Sequence, residues 1–399
     1  MKKISIVIPT RSRAHLLRFA LKSAVRQTYK NKEIVVCDNQ SIDNTKEIAH
    51  SFPNNQIVYM KSRKHLSMPD NWELALSKAT GEYITYLTDD SYLLPFALER
   101  TVGELEKFNA RVAVWKYGTY FTSDWGESWR KNTLYIPKVS STSCLLASKK
   151  SLQRLYGMDE NVSPLIPRSL NSLCHRSVID KIMAIQGRFF LPPCPDYTSA
   201  ASILLNIPEY LLIDQPLSID GVTPLSIGAT NSFNLGDGVQ TFIKEFDKGL
   251  DDIFFLRVPT ATAGIAKGLE TVKKFYKNVC PEIDEKKLLC TMIDRLRKLE
   301  SNGVNITMYQ RILYEYIKKQ PMNIRLAALR QKFFSTIKRK AIARIRSSSW
   351  SRQLEKLRSG HTLDGRDWKF NNIEEAANLL TKRINGNSLP NGIKRIYKK

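Results

Sequence analysis

Acidic residues are scarce in this 399-residue chain: 38 Asp and Glu stand against 62 Lys and Arg, leaving a net charge of +24. The imbalance is steepest from Pro321 to Lys399, where 19 basic residues meet 5 acidic ones. A stretch this basic seeks a polyanion, which narrows its partners to anionic lipid, a phosphorylated substrate or nucleic acid. No nucleic-acid recognition motif accompanies the charge, so that partner is not expected. Long apolar runs are missing as well. None reaches the ~18 residues of a membrane span, and even residues 203–219 are broken by Glu209, Asp214 and two prolines. The six cysteines include no C-x-x-C pair, which argues against a zinc site and against a disulfide framework. There is no G-x-G-x-x-G and no P-loop lysine motif, so the common dinucleotide and ATP grips lack support. The first apolar run, Ile4 to Ile8, is too short for a signal peptide and ends in Pro9. It reads as a first strand, and the chain is expected in the cytoplasm, at most peripheral on the inner face of the membrane.

What is present, from residue 4 to about 115, is an alternation of strand and helix patterns. Apolar runs at Ile4–Pro9, Glu33–Cys37, Gln56–Met60 and Tyr83–Leu87 are separated by helix-spaced segments at Ala14–Gln27 and Pro69–Thr80, the latter with Gly81 as its expected stop. Strands alternating with helices of this length mean βαβ units and a mostly parallel sheet flanked by helices. Residues 1–230 are assigned to this α/β domain. Residues 231–346 read as a helical region, from apolar positions such as Phe242, Phe246, Leu288, Met292, Leu296, Ile312 and Tyr316. Residues 347–399 read as a basic tail.

In an open wound sheet, ligands bind beyond the carboxyl ends of the strands. The polar residues fall there. The first strand ends in Pro9-Thr10-Arg11-Ser12-Arg13, the second in Asp38-Asn39, the third in Lys61-Ser62-Arg63 and the fourth in Thr88-Asp89-Asp90. Carboxylates and basic side chains meeting at one edge suit a nucleoside diphosphate with a divalent cation. Mg²⁺ or Mn²⁺ takes few protein carboxylates and leaves positions for phosphate oxygens. Adjacent acids on a strand end point to opposite sides, so one of Asp89 and Asp90 can meet a metal and the other a ribose. The competing explanation is that Asp90 or Ser91 caps the helix near Pro95.

The segments Ile6-Val-Ile-Pro-Thr-Arg11, Glu33-Ile-Val-Val-Cys-Asp-Asn-Gln-Ser-Ile-Asp-Asn-Thr45 and Ala79-Thr-Gly-Glu-Tyr-Ile-Thr-Tyr-Leu-Thr-Asp-Asp90 resemble the family-2 inverting glycosyltransferases of GT-A fold. The resemblance is strong over residues 4–95, weaker to about 220, and not seen beyond. It implies that Asp38 contacts the base of a nucleotide-sugar, expected to be a UDP-sugar, although Asn39 stands where members often have a second acid. It implies that Asp89 faces the ribose or sugar, that Asp90 holds Mn²⁺ or Mg²⁺, and that Pro9, Thr10, Arg11 and Arg13 wrap the nucleoside diphosphate. Asn71 falls at a donor-side polar position, where helix capping explains it equally well.

Inverting transfer also needs a carboxylate to take the acceptor's proton. The resemblance puts it about a hundred residues past the metal acid, among Asp180, Asp196, Glu209, Asp214 and Asp220. Asp196, in Pro192-Pro-Cys-Pro-Asp-Tyr-Thr-Ser199, is chosen over a simple N-cap role. His175 is weighed as an acceptor or diphosphate contact against a structural helix start. Trp115, Trp125, Trp129, Tyr117, Tyr120 and Phe121 are weighed as a sugar-stacking wall against core packing. The segment 323–346, with eight basic residues and no acidic one, has Leu326, Leu329, Phe333, Ile337 and Ala341 on one side, and is weighed as an interfacial helix on anionic membrane against a surface helix packed on its neighbours. The expected activity is transfer of a sugar to a hydroxyl of a cell-surface glycan or lipid-linked acceptor. The alternative is an inactive GT-A-like module acting as a membrane or nucleic-acid adaptor through its basic C-terminal region.

Overall fold

The computed structural model describes residues 1–52, 57–125, 130–138, 142–224, 226, 258, 260–331 and 361–385. The apolar runs form strands. β1 (Ile4–Thr10) and β2 (Lys32–Asp38) are buried along their whole length, as central strands covered on both faces must be. They pair in parallel, Ile4 beside Lys32 through Thr10 beside Asp38. β3 (Ile57–Lys61) extends the sheet beyond β2, and β4 (Tyr83–Tyr86) lies parallel to β1 on its other side. The helices α1 (Ala14–Val25), α2 (Thr45–His50) and α3 (Met68–Leu76) carry the crossovers. α3 stops at Leu76, short of the expected end. Gly81 is needed for another reason: a Cβ there would lie 2.6 Å from the backbone nitrogen of Ser5.

After the two-residue β5 (Tyr92–Leu93) and α4 (Ala97–Phe108) come β6 (Val112–Phe121), β7 (Thr133–Ile136), β8 (Ser143–Ala147), α5 (Ser148–Tyr156), β9 (Ser172–His175), α6 (Arg176–Gln186), α7 (Pro195–Asn206) and β10 (Glu209–Val222). Among the described residues eleven strands make one mixed sheet, in the order β11 (His361–Asp364), β7, β6, β9, β4, β1, β2, β3, with β10 pairing β5, β6 and β8. β9 is antiparallel to both β4 and β6, while β10 runs parallel to β6. The carboxyl ends of β1, β2, β4, β6 and β10 therefore share one edge of the sheet.

Helices Ala261–Lys273, Glu285–Ser301 and Thr307–Lys318, and a helical stretch over 322–331, follow. Leu288, Met292, Leu296 and Leu299 are buried on one stripe, as their spacing predicts. These helices share one core with a sheet face, since Val7, Val35 and Val114 belong to the same apolar cluster as Leu269, Met292 and Leu313. The expected apolar positions Phe242 and Phe246 lie outside the described residues, as do Phe333, Ile337 and Ala341. No helix among the described residues is long and apolar enough to cross a membrane.

Residues 361–385, read from the sequence as part of a tail, return to the sheet. β11 (His361–Asp364) pairs antiparallel with β7, and the helix Ile373–Ile384 buries Ile373, Ala376, Ala377 and Leu380 against Tyr92, Tyr120, Leu134 and Ile219. Glu374 accepts ion pairs from Lys22 (2.8 Å) and Arg26 (2.7 Å) of α1. The segment is short and its apolar residues few, so its hydrophobic pattern was hidden by the surrounding basic charge.

Candidate functional site

β1 ends in Thr10, which stands between the two acidic positions. It is beside Asp38 in the β1–β2 register, and its hydroxyl donates to Asp89 Oδ2 at 2.8 Å. Asp38 is almost fully buried. Its Oδ1 accepts from the backbone N–H of Ser41 at 2.7 Å and its Oδ2 from the hydroxyl of Tyr59 at 2.7 Å. Burial, together with that bond, raises the Tyr59 phenol well above its ordinary pKa, so it remains a donor. Asn39 turns inward instead: its amide donates to the carbonyl of Leu66 (2.9 Å) and its oxygen accepts from the Leu66 N–H (2.9 Å). Asn39 thus pins the loop after β3 to the loop after β2.

The loop between β1 and α1 is fastened to the same neighbour. The Ser12 N–H donates to Ser41 Oγ (2.8 Å), and the Ala14 N–H to Asp43 Oδ2 (2.9 Å), which caps α1 from outside. Ser12 takes a left-handed φ of 50°. This turn sends Arg11 outward, where its guanidinium meets His65 at 3.3 Å, and Arg13 inward. Lys61 donates to the carbonyl of Ser41 at 3.0 Å, and Arg63 stays exposed. Of the basic residues expected at the edge, Arg13 is therefore the one that reaches the acids.

Arg13 Nη1 donates to Asp89 Oδ1 at 3.3 Å and to Asp90 Oδ2 at 3.2 Å. The expectation that these two carboxylates point to opposite sides is not met. The strand ends at Tyr86, and residues 88–91 form a turn closed by the Ser91 N–H on the Thr88 carbonyl (3.0 Å). The turn brings both acids around one cation. The capping alternative also fails, because α4 begins at Ala97 with Phe96 at its cap and no side-chain cap bond. Burial raises the Asp89 carboxyl above its ordinary range, Arg13 opposes the rise and Asp90 adds to it. Burial works against the Arg13 charge, but Asp89 and Asp90 more than restore it.

The two oxygens converging on one nitrogen are hard donors of the kind Mg²⁺ and Mn²⁺ accept, with phosphate and water to complete the shell. No group of three His, Cys, Asp or Glu able to hold a metal occurs among the described residues. Asp89 and Asp90 could therefore fit a metal only with a phosphorylated ligand and water completing its shell.

β10 closes the site from the other side. A Cβ at Gly221 would lie 1.9 Å from the carbonyl oxygen of Asp90, so the two backbones are in close contact. Ser226 Oγ donates to Asp90 Oδ2 at 3.2 Å. Just before Gly221, Asp220 is pushed up to about 7 by burial, with Arg168 opposing and Asp90 and Asp196 adding to the rise. Asp196 lies in the first turn of α7, whose cap is Cys194, so it is not an N-cap. Burial raises its carboxyl, while the guanidinium of Arg168, bonded at 3.3 Å, opposes that rise.

Other candidates sort differently. Asn71 is not a cap, a role taken by Ser67; it is buried in α3 and accepts from the Cys37 thiol at 3.2 Å, beneath Asp38. His175 caps α6 and meets Glu82 at 3.2 Å, and its strand position beside Tyr83 puts it at the opposite edge of the sheet. Trp115 is fully buried with its indole N–H on Ser218, and Tyr120 packs in the core with Phe370. Trp125 is largely buried with its indole N–H on the Val222 carbonyl. Trp129 lies outside the described residues. Of the aromatic wall, Tyr117 touches the site through Arg168 (2.9 Å), and Phe121 packs against Trp125. Arg168 and Gly221 are the residues sequence reasoning passed over: neither sits in a motif.

The sheet edge thus carries an acid-rich turn, Asp89-Asp90, in an α/β domain, with the half-buried Asp196 near the end of β10. Residues 5–180 match the family model described as Glycosyl transferase family 2. The match covers less than half of the chain, and over it the chain is similar to family-2 glycosyltransferases. Over 115 residues it is 34% identical to the GalNAc(5)-diNAcBac-PP-undecaprenol beta-1,3-glucosyltransferase of Campylobacter jejuni, covering 28% of this chain and 37% of that protein. Over 106 residues it is 29% identical to the UDP-Glc:alpha-D-GlcNAc-diphosphoundecaprenol beta-1,3-glucosyltransferase WfaP of Escherichia coli, covering 27% of this chain and 42% of that protein. The chain therefore spans about two-fifths of the length of such relatives. Among solved structures, S. aureus TarS 1–349 in complex with UDP is similar at 16% identity and a TM-score of 0.47, over 81% of this chain and 93% of that one.

Proposed function

We propose that the chain is an inverting, metal-dependent glycosyltransferase that moves a sugar from a UDP-sugar to a hydroxyl of a lipid-linked glycan. The observation that carries the reading is the meeting of Arg13 with Asp89 and Asp90 beside Thr10 and Asp38, with the half-buried Asp196 near the end of β10. The two relatives, both named as glucosyltransferases acting on undecaprenol diphosphate-linked glycans, favour a lipid-linked acceptor and, for one, a UDP-glucose donor.

In this reading Asp38 and the loop tied to it by Ser41 hold the nucleoside, and Asp89, fixed by Thr10, takes the ribose or sugar. Bound Mg²⁺ or Mn²⁺ at Asp90 would supply positive charge to the departing diphosphate. Arg13 is the second positive charge at that place. Asp196 accepts the proton of the acceptor hydroxyl as its oxygen bonds to the anomeric carbon and the bond to the diphosphate breaks. UDP leaves with that bonding pair. The exposed Leu326, Leu329 and Arg330, beside Lys318 and Lys319, would keep the protein near anionic lipid, where such acceptors reside.

Free UDP measured after incubation with UDP-sugars, Mn²⁺ and a GlcNAc-diphospholipid tests the reading. Asp90→Asn should abolish Mn²⁺-dependent UDP binding. Asp196→Asn should bind UDP normally and turn over at least 100-fold more slowly. No UDP release from any donor, with or without acceptor, would refute the assignment and favour a binding module.

A further inference from the structure

Arg168 lies in the segment between the 3₁₀ turn Glu160–Leu165 and β9, yet its side chain is only 10% exposed. Its Nη1 donates to Asp196 Oδ2 at 3.3 Å and its Nη2 to the Tyr117 hydroxyl at 2.9 Å. The cation lies 5.4 Å from the ring centre of Tyr117 and 5.6 Å from that of Tyr197. Its backbone is held as well. The next residue, Ser169, takes a φ of 65°, its carbonyl accepts from the Tyr86 N–H at 3.1 Å, and its hydroxyl meets Ser199 Oγ at 3.0 Å. Ser199 belongs to the same helix as Asp196, so both ends of the contact are anchored to α7.

A surface pair of this kind would be worth little. Here the planar guanidinium has exchanged water for two aromatic faces, a phenol and a carboxylate, which fixes its direction as lysine could not. Five titratable or charged groups face Asp196. They are Arg168 from the segment before β9, Tyr117 from β6, Asp220 from β10, and Tyr197 and Cys194 from the start of α7. Two acids thus compete for one cation. The bond runs to Asp196, and Asp220 is the acid left to hold its proton near neutral pH.

We propose that Arg168 is the positioning residue of the acceptor site: clamped between Tyr117 and Tyr197, it fixes where the Asp196 carboxylate stands and keeps it as the base. The inference rests on the sugar-transfer reading above, and it assigns Arg168 no contact with donor or acceptor.

The test is UDP release from UDP-glucose and UDP-GlcNAc with Mn²⁺, with and without a GlcNAc-diphospholipid, across pH 5–9, alongside calorimetric UDP binding. Arg168→Lys keeps charge and loses the fork, so turnover should fall about 10- to 100-fold, with UDP affinity within twofold and the acid limb near its wild-type position. Arg168→Met should lose about 1,000-fold and move the acid limb upward by at least one pH unit, because Asp196 then ionises with no cation beside it. Tyr117→Phe, which keeps the ring and removes only the phenol bond, should fall three- to tenfold with the donor KM unchanged. Should Arg168→Met not fold, Arg168→Lys and Tyr117→Phe decide the matter. Wild-type turnover in both, or an acid limb unmoved in a folded Arg168→Met, overturns the inference alone. Absence of UDP release by the wild type overturns the sugar-transfer reading and this inference with it.

Discussion

Gly221→Ala is a one-carbon change in a strand that, in the proposed reading, touches no substrate, and it should disable the site. The added Cβ would stand 1.9 Å from the Asp90 carbonyl oxygen, 2.9 Å from its carbonyl carbon and 3.2 Å from its Cβ. Ordinary carbon–oxygen approaches begin at about 3.3 Å. The Asp90 turn must therefore retreat by roughly 1.4 Å, since β10 is held on both sides by β6 and β5. That retreat pulls the carboxylate from Arg13 and Ser226, both now at 3.2 Å. A displacement near 1 Å at a charge-bearing group costs about 100-fold in rate, or about 2.7 kcal/mol of transition-state stabilisation. Overpacking of this kind also lowers stability by about 1–3 kcal/mol. Steady-state UDP release should show a kcat/KM about 100-fold below wild type, and Mn²⁺-dependent UDP binding should weaken in parallel. Gly103→Ala is the control: in α4 a Cβ there has no neighbour within 4 Å, so activity should hold and stability should rise by about 0.5–1 kcal/mol. A Gly221→Ala protein active within twofold of wild type would refute the claim that β10 sets the position of Asp90.

The Asp220 carboxyl, pushed up to about 7 by burial, binds its proton more tightly in the folded chain than in the unfolded one, where carboxyls titrate near 4. Its contribution to stability is complete below about pH 4 and drains away as pH rises through 7. Asp220→Asn should accordingly flatten the fall in melting temperature between pH 5 and 8, and parallel wild-type and variant curves would contradict this. Phe370→Ala, removing a buried ring from the cluster around Tyr120, should cost about 3–5 kcal/mol in urea unfolding; a loss under 1 kcal/mol would mean that residues 361–385 do not contribute to the folded core. Charge reversal at Arg325 and Arg330 should release the protein from anionic vesicles in a sedimentation assay, and unchanged binding would remove the proposed lipid contact. Truncation at 321 is the poorer experiment, because it also strips β11 from the sheet.

The first half of the fold was readable because each βα unit repeats the same signals: a short apolar run, a polar turn, then helical spacing. The gathering of the acids was readable for the same reason, since the ends of parallel strands have to meet at one edge. Asp38, Asp89, Asp90 and Thr10 indeed gather there. What was not readable depended on contacts between distant segments. The side taken by Asp89 and Asp90 is set by a turn that begins two residues beyond the strand. The inward swing of Arg13 and the outward one of Arg11 follow from the left-handed Ser12. Arg168 reaches Asp196 across 28 residues of sequence through an irregular segment with no period to betray it. The return of residues 361–385 to the sheet was masked in the same way, because four strand residues and two short helices carry too few apolar positions to stand out from a basic stretch.

The closing strand has a consequence for biosynthesis. β11 completes the outer side of β7, yet about 225 residues separate Ile136 from His361. A nascent chain leaving the ribosome must therefore wait for most of its length to be translated before that flank is sealed. In the interval β7 offers bare amide and carbonyl groups to any other extended polypeptide. Premature stop codons ahead of residue 361 should consequently yield protein that clumps by strand addition, a defect that chaperones capping exposed edges would relieve and added ligand would not.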